Sequence, residues 1–390
     1  VKRSPATTIE KLLSSEQKGW LNKAREFAAS IPQADKLRSD SENSFRRDLF
    51  EAACQNGFGA LPFSKEYGGA GGDYASFALV NEEFARSLVP IMSSLGVHVL
   101  CQEPIYRFGN AEQKSKYLPL AANGKYLGAF GLTEPNAGSD TAAIKTTAKR
   151  VGDEYILNGT KTFITSGGAA DFYIVMARLQ DSGLEDSKSI TSFIVERGFQ
   201  GFEIGQKFNM LGMRGYATCE IVFNDCRVPK ANLLGEHGSG RKVALSSLAK
   251  GRVTIAAQAT GWAQGSLDAI AKFAQVAKEQ NLTHHLVSLE KVSALIGDLS
   301  VQTSSARALT YQAACAIDRG QGDVVLAAMA KVQATDIAMR AATDAISILG
   351  IPGLESEQLV ERIFRDAKAG QIYEGTNQIQ RVLIARQLFS

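Results

Sequence analysis

The chain has 390 residues, 45% of them apolar and 21% charged, with a formal net charge of +3. A charge so balanced, with no basic run interleaved with aromatics, argues against nucleic acid, and no stretch reaches the ~18 uninterrupted apolar residues of a membrane span. The length suffices for two or three domains around a sizeable core. Val1-Lys2-Arg3-Ser4-Pro5 is basic, but no apolar run follows it, which argues against a secretory signal. Cys54, Cys101, Cys219, Cys226 and Cys315 form no C-x-x-C pair. They read as reduced thiols of the cytoplasm, or of the mitochondrial matrix in a eukaryote. His284-His285 has no accompanying cysteine or carboxylate cluster, so no metal is expected.

Taken in chain order, the periodicity divides the sequence into three regions. From about Ile9 to Ala122 it is helical, broken at Gly57-Phe58-Gly59 and at the glycines of 68–72. From Tyr126 to about Leu234 it turns to period two. Val151–Tyr155 reads as a hairpin turn, and 172–177 and 191–195 read as buried strands. Asn158-Gly159 reads as a second hairpin turn leading into a β-branched strand, and 181–189 as an exposed loop. From Gly238 the pattern is helical again, with long runs at 253–279, 286–317 and 324–349. The expected fold is α+β: an N-terminal helical domain (1–125), a central β-barrel-like domain (126–236) and a C-terminal four-helix bundle (237–390). Helices of that length leave faces for subunit contact.

The most informative local pattern is Tyr373-Glu374-Gly375-Thr376-Asn377-Gln378-Ile379. Thr376 is a candidate N-cap, with apolar residues at helical spacing behind it. Glu374 stands just before the turn. If desolvated, its carboxylate gains proton affinity and can act as a base near neutral pH. Read alone, the better reading is that it complements the helix dipole.

Two segments accompany it: Gly131-Leu132-Thr133-Glu134-Pro135-Asn136-Ala137-Gly138-Ser139-Asp140 and Asn158-Gly159-Thr160-Lys161-Thr162-Phe163-Ile164-Thr165. With Leu211-Gly212-Met213-Arg214, Gly251-Arg252 and Phe364-Arg365-Asp366-Ala367-Lys368, the ordered set resembles the acyl-CoA dehydrogenase family from about residue 10 to Arg386. The resemblance implies FAD as cofactor, an acyl-CoA substrate and an electron-transfer flavoprotein as acceptor. No side chain accepts hydride, so a cofactor is needed for this chemistry. It implies Glu374 as the base that removes the α-proton. The Glu374 N–H, with a flavin hydroxyl, would bind the thioester oxygen. Leu132, Thr133, Gly138, Ser139, Phe163, Ile164 and Thr165 would hold the flavin, and Thr376 and Gln378 the rest of FAD. Ser139, Arg252 and Gly375 would face the substrate. Without the resemblance, Thr133 and Thr165 are ordinary strand residues, Phe163 a core aromatic and Arg252 a surface residue. A branch of the family places its base at the position of Gly251, which leaves Glu374 unopposed here.

The sequence departs from the family in one functional half. Members take FAD contacts from a neighbouring subunit, and those positions here carry Glu279, Leu282-Thr283, Glu290, Ser347 and Ile351. A Glu for an Arg beside a pyrophosphate turns attraction into repulsion, about 4 kcal/mol at ~4 Å in an effective dielectric of ~20. The expectation is a hetero-oligomer, α2β2, in which a related second subunit completes the FAD site. A homo-oligomer with an altered FAD grip is the alternative. An enoyl-thioester reductase, a dehydrogenase acting on an acyl-carrier protein and a non-catalytic partner subunit also stay open. His98 and Glu103 stand out in the apolar run 92–100 and just beyond it. They either satisfy each other, pack, or meet a polar group on the acyl chain.

Overall fold

The computed structural model describes residues 10–180, 183–185, 188–279 and 289–389. Six helices come first: α1 (Ser15–Ser30), α2 (Gln33–Ser41), α3 (Arg47–Gln55), α4 (Tyr74–Arg86), α5 (Met92–Phe108) and α6 (Ala111–Ala122). Their starts follow local chemistry. Ser14 and Gln17 form a capping box at α1, and Asn110 and Gln113 another at α6. Asp73 caps α4 by accepting from the Ser76 N–H. The glycine-rich break at 57–72 falls between α3 and α4, where Gly57 and Gly68 adopt positive φ.

The central region holds β1 (Gly128–Gly131), β2 (Thr147–Val151), β3 (Glu154–Ile164), β4 (Phe172–Leu179), β5 (Ile190–Glu196), β6 (Phe202–Lys207), β7 (Cys219–Pro229) and β8 (Leu233–Leu234). They form one mixed sheet in the order β6-β7-β3-β2-β4-β5-β8, with β1 parallel to β4. The expected central β-domain is present; among the described residues its sheet ends at β6 and β8 and does not close, because period-two sequence encodes strands and not closure. The hairpin at 151–155 joins β2 to β3, with Gly152 at φ +61°.

Asn158-Gly159 is no hairpin turn; it lies inside β3, at a register shift against β7. Gly159 has φ +143°, and a Cβ there would sit 2.6 Å from the Thr146 hydroxyl. The glycine thus serves a bulge and a close crossing. The expected loop 181–189 falls partly outside the described residues.

The third region begins with α7 (Gly240–Glu279), followed by α8 (Leu289–Asp318), α9 (Val324–Leu349), α10 (Leu359–Gly370) and α11 (Asn377–Leu388). α7, α8, α9 and α10 form the bundle, and α11 packs on α9. Small buried residues along α9, including Ala327, Ala334, Ala338, Ala341 and Ala345, let it lie close to α7. α7 starts 13 residues before Val253, which places Arg252 well inside a helix. α7 also packs against α4 and α5, joining the two helical regions.

The motif segments 211–214 and 364–368 are structural staples between regions. A Cβ on Gly212 would come 2.2 Å from the Arg365 backbone. The Met213 N–H donates to Asp366 Oδ1 at 2.5 Å, and Arg365 is bidentate to Asp40 at 2.9 and 2.7 Å.

Candidate active site

A cavity of about 300 Å³ lies where the three regions meet. One wall is the loop after β1, with Leu132, Thr133, Gly138 and Ser139. A second is the end of β3, with Phe163, Ile164 and Thr165. α5 contributes Ser93, Gly96, Val97 and Leu100. α7 contributes Gly251, Arg252, Thr254, Ile255 and Gln258, and the turn before α11 contributes Tyr373, Glu374 and Gly375. Segments more than 200 residues apart in sequence thus converge. Thr376 and Gln378 stand outside this lining; Ile379 and Leu383 of the same helix are in it. Thr376 is the N-cap of α11, accepting from the Ile379 N–H at 3.3 Å.

The loop after β1 is fixed to β3 by a buried ion pair that sequence reading missed. Lys161 Nζ, with no solvent exposure, donates to Glu134 Oε1 at 2.7 Å and to the Leu132 carbonyl at 3.1 Å. Glu134 also accepts from the Lys145 and Thr146 N–H groups at 2.5 and 2.9 Å. Burial lowers the Lys161 pKa to about 8, with Glu134 opposing the shift. Burial pushes the Glu134 carboxyl up, but Lys161 and its hydrogen bonds outweigh it and hold it below the usual range. The signal was present: both residues lie inside the quoted motifs, two to four positions from Leu132, Phe163 and Thr165.

Phe163 is not a core aromatic. It is 56% exposed, adopts φ +56° and stacks on Phe208 at 4.6 Å between centroids. Glu374 has φ +55°. Left-handed backbone at non-glycine residues costs of order 1 kcal/mol and persists only where neighbours over-determine it. Two of the eight such residues among those described line this cavity.

Glu374 keeps a partly accessible surface, but its Oε2 is buried and has no hydrogen-bond partner. Burial raises its pKa to about 7, against the pull of Arg252 and Lys331. A desolvated carboxylate with that proton affinity, on a residue that lines a cavity, is equipped as a base. Arg252 is buried beside it, its Nε unpartnered. Burial lowers the pKa of Arg252, and the charge of Glu374 opposes that shift. Gly251 is required by space: a Cβ there would lie 2.8 Å from Glu374 Oε2 and 2.9 Å from its carboxyl carbon.

His98 and Glu103 do not meet each other or line this cavity. His98 accepts from the Gly128 N–H at Nδ1 (3.1 Å) and bonds the Ala121 carbonyl through Nε2 (3.0 Å), so it is a neutral ring joining α5, α6 and β1. Burial lowers its pKa to about 4. Glu103 pairs with Lys250 at 2.6 Å.

Comparison with known proteins agrees with this fold. Models of the acyl-CoA dehydrogenase N-terminal, middle and C-terminal domains match residues 14–125, 129–226 and 238–389. An acyl-CoA dehydrogenase of Bacillus subtilis is 40% identical, covering 96% of this chain and 98% of its own. The butyryl-CoA dehydrogenase of Megasphaera elsdenii superposes with a TM-score of 0.91 at 38% identity, over 97% of this chain and 99% of its own. A chain solved in a study of the electron transferring flavoprotein of Acidaminococcus fermentans gives 0.89 at 39% identity, over 96% and 98%. The chain belongs to the acyl-CoA dehydrogenase family.

Proposed function

We propose that the protein is a FAD-dependent dehydrogenase of short-chain acyl-CoA thioesters, with Glu374 as the base that takes the α-proton. The observation that carries this reading is Glu374, a desolvated carboxylate with an unpartnered Oε2, in the lining of a cavity whose other walls suit a flavin and an acyl chain. The cofactor of the family is FAD. The residues fit it: Phe163 offers an exposed aromatic face, Thr133, Ser139 and Thr165 offer polar groups, and a Cβ on Gly138 would meet nothing within 4 Å. FAD, when bound, supplies the hydride acceptor that no side chain provides. The chain's own residues do the rest. The turn at Glu374 aims its carboxylate into the cavity, Arg252 adds positive charge beside it, and Gly251 leaves the space the carboxylate occupies. The Glu374 N–H is the donor we assign to the thioester oxygen, where negative charge develops as the α-proton leaves. An electron-transfer flavoprotein takes the electrons onward.

The short chain is argued from α5 and α7. Gln258 lies two helical turns beyond Gly251, about 10 Å along α7, and is wholly buried. Its Nε2 donates to Asn81 Oδ1 at 3.0 Å, and its Oε1 accepts from the Ser93 hydroxyl at 3.3 Å. Helix packing is tight beside it, since a Cβ on Gly96 would come 3.1 Å from Gln258 Nε2 and from Thr254 Cγ2. This bonded bridge between α4, α5 and α7 limits the depth available to an acyl chain. The relative acting on butyryl-CoA fits the same reading. The holo-protein is expected to be yellow and to bleach anaerobically with butyryl-CoA but not with palmitoyl-CoA. Gln258→Ala should extend bleaching to longer chains by removing the bridge. A holo-protein whose spectrum no acyl-CoA perturbs would end the dehydrogenase reading.

We infer further that a second, related chain completes the FAD site. Support comes from positions where the family donates FAD contacts across an interface. Glu279 is exposed and accepts from Gln275, and the exposed Ser347 hydroxyl bonds back to the Thr343 carbonyl. Ile351 is 82% exposed. None of the three offers a pyrophosphate a positive charge. Leu282 and Thr283, and the side chain of Glu290, lie outside what the structure describes. Native mass with flavin counted after heat release tests this. About two FAD per four chains in a mixed assembly is the expected outcome. A fully active homotetramer with four FAD is the contrary one.

A further inference from the structure

Lys331 of α9 is wholly buried, and it lies behind the turn that carries Glu374. Its Nζ donates to the Gly375 carbonyl at 2.9 Å and to Asn377 Oδ1 at 2.7 Å. Both acceptors are neutral. Among the described residues no carboxylate comes within 4 Å of this ammonium. A cation kept in such a place is costly to desolvate, and a methionine of similar volume would avoid that cost. Its retention calls for a role.

The turn itself needs holding. Glu374 and Gly375 adopt φ +55° and +91° in succession. Their carbonyls are turned inward and tied by side chains from two helices. Gln380 Nε2 of α11 donates to the Glu374 carbonyl at 3.0 Å and to that of Gly375 at 3.2 Å. Lys331 takes the Gly375 carbonyl from the α9 side. Asn377 relays the contact onward, donating to the Thr335 hydroxyl at 2.9 Å and to Asp336 Oδ1 at 2.8 Å. A Cβ on Gly375 would strike Gln380 Nε2 at 2.3 Å, so the turn has no room for a side chain there.

Charge adds to geometry. The groups that act on Lys331 are Glu374 and Asp336, which attract it, and Arg252 and Arg381, which repel it. Asp336 is engaged by Arg381, Asn377 and Gln371. The groups that act on Glu374 are Arg252 and Lys331. Glu374 is thus the leading attraction felt by Lys331, and one of its two cationic neighbours is Lys331. Burial lowers the Lys331 pKa to about 7, with Glu374 and Asp336 opposing the shift.

We propose that Lys331 is a positioning residue for the base: through Gly375 and Asn377 it locks the left-handed turn that aims Glu374, and its charge favours the ionised carboxylate. This rests on the reading of Glu374 as the base.

The test uses the FAD-loaded protein and the variants Lys331→Gln, Lys331→Met and Lys331→Arg. FAD content and thermal midpoint establish folding. The protonation of Glu374 is followed by infrared difference titration of its carboxyl band against Glu374→Gln. The rate of anaerobic flavin reduction by butyryl-CoA is measured from pH 5.5 to 9. In the Gln or Met variant that folds, both the carboxyl midpoint and the acidic limb of the rate should move up by about one pH unit. Lys331→Arg should hold the midpoint near its wild-type place. A drop in rate that is equal at every pH, with the midpoint unmoved, would overturn the proposal. Activity retained by Glu374→Gln would instead show that the base assignment has failed, since that control does not involve Lys331.

Discussion

Glu374→Gln is expected to keep FAD bound and to slow flavin reduction by butyryl-CoA at least ~10²-fold. The substitution preserves shape and leaves the backbone N–H in place while removing the only carboxylate that the described residues bring to the cavity lining. Stopped-flow absorbance under anaerobic conditions measures it. The same variant should gain stability at alkaline pH. Glu374 titrates near 7 in the folded chain against an ordinary 4.5. Between those values the folded state binds more protons than the unfolded one, so stability falls as pH rises through the window. Above pH 7 the full cost is present, and Gln removes it. Solvent reaches part of the residue, so we discount the gain to roughly 1–2 kcal/mol at pH 8, with none below pH 4.5. Melting curves of the two proteins at both pH values check the sign.

Lys161→Met is expected to be the most destabilising single change in the site. It leaves Glu134 as a buried carboxylate without its cation, and it strips the Leu132 carbonyl of a donor. Breaking a buried pair from one side costs roughly 3–5 kcal/mol. The loop after β1 and the end of β3 would lose this tie while keeping the Thr162 N–H to Thr133 carbonyl bond at 2.9 Å, and FAD retention should fall with the thermal midpoint. Lys161→Met combined with Glu134→Gln should recover part of the loss. Gln is neutral, and its single amide oxygen still accepts from one of the Lys145 and Thr146 N–H groups. A single variant that melts with wild type and keeps its flavin would show that the pair is not what joins these segments.

The sequence made some of this legible because the governing interactions are local. Thr376 caps its helix through a neighbour three residues away, and the 151–155 hairpin closes on itself. The order of helical and period-two regions also follows from patterning alone. What stayed hidden depends on long-range contact. Lys161 and Lys331 look like any lysine of a strand or helix until the fold buries them. Gln258 reads as a polar position on a helix until Asn81 and Ser93 arrive from two other helices. Asn158-Gly159 carries the strongest short hairpin signal in the chain, yet pairing with β7 and the crossing at Thr146 keep it inside a strand. Gly251 was legible only as an absence. In the fold that absence is the space filled by the Glu374 carboxylate.

The pH dependence of flavin reduction in the wild-type holo-protein bears most directly on Glu374 as the base. Anaerobic reduction by butyryl-CoA should rise about tenfold per pH unit below neutrality and level off above about pH 7, where Glu374 is ionised. A rate that is flat from pH 5.5 to 9, with Glu374→Gln as fast as wild type, would contradict it.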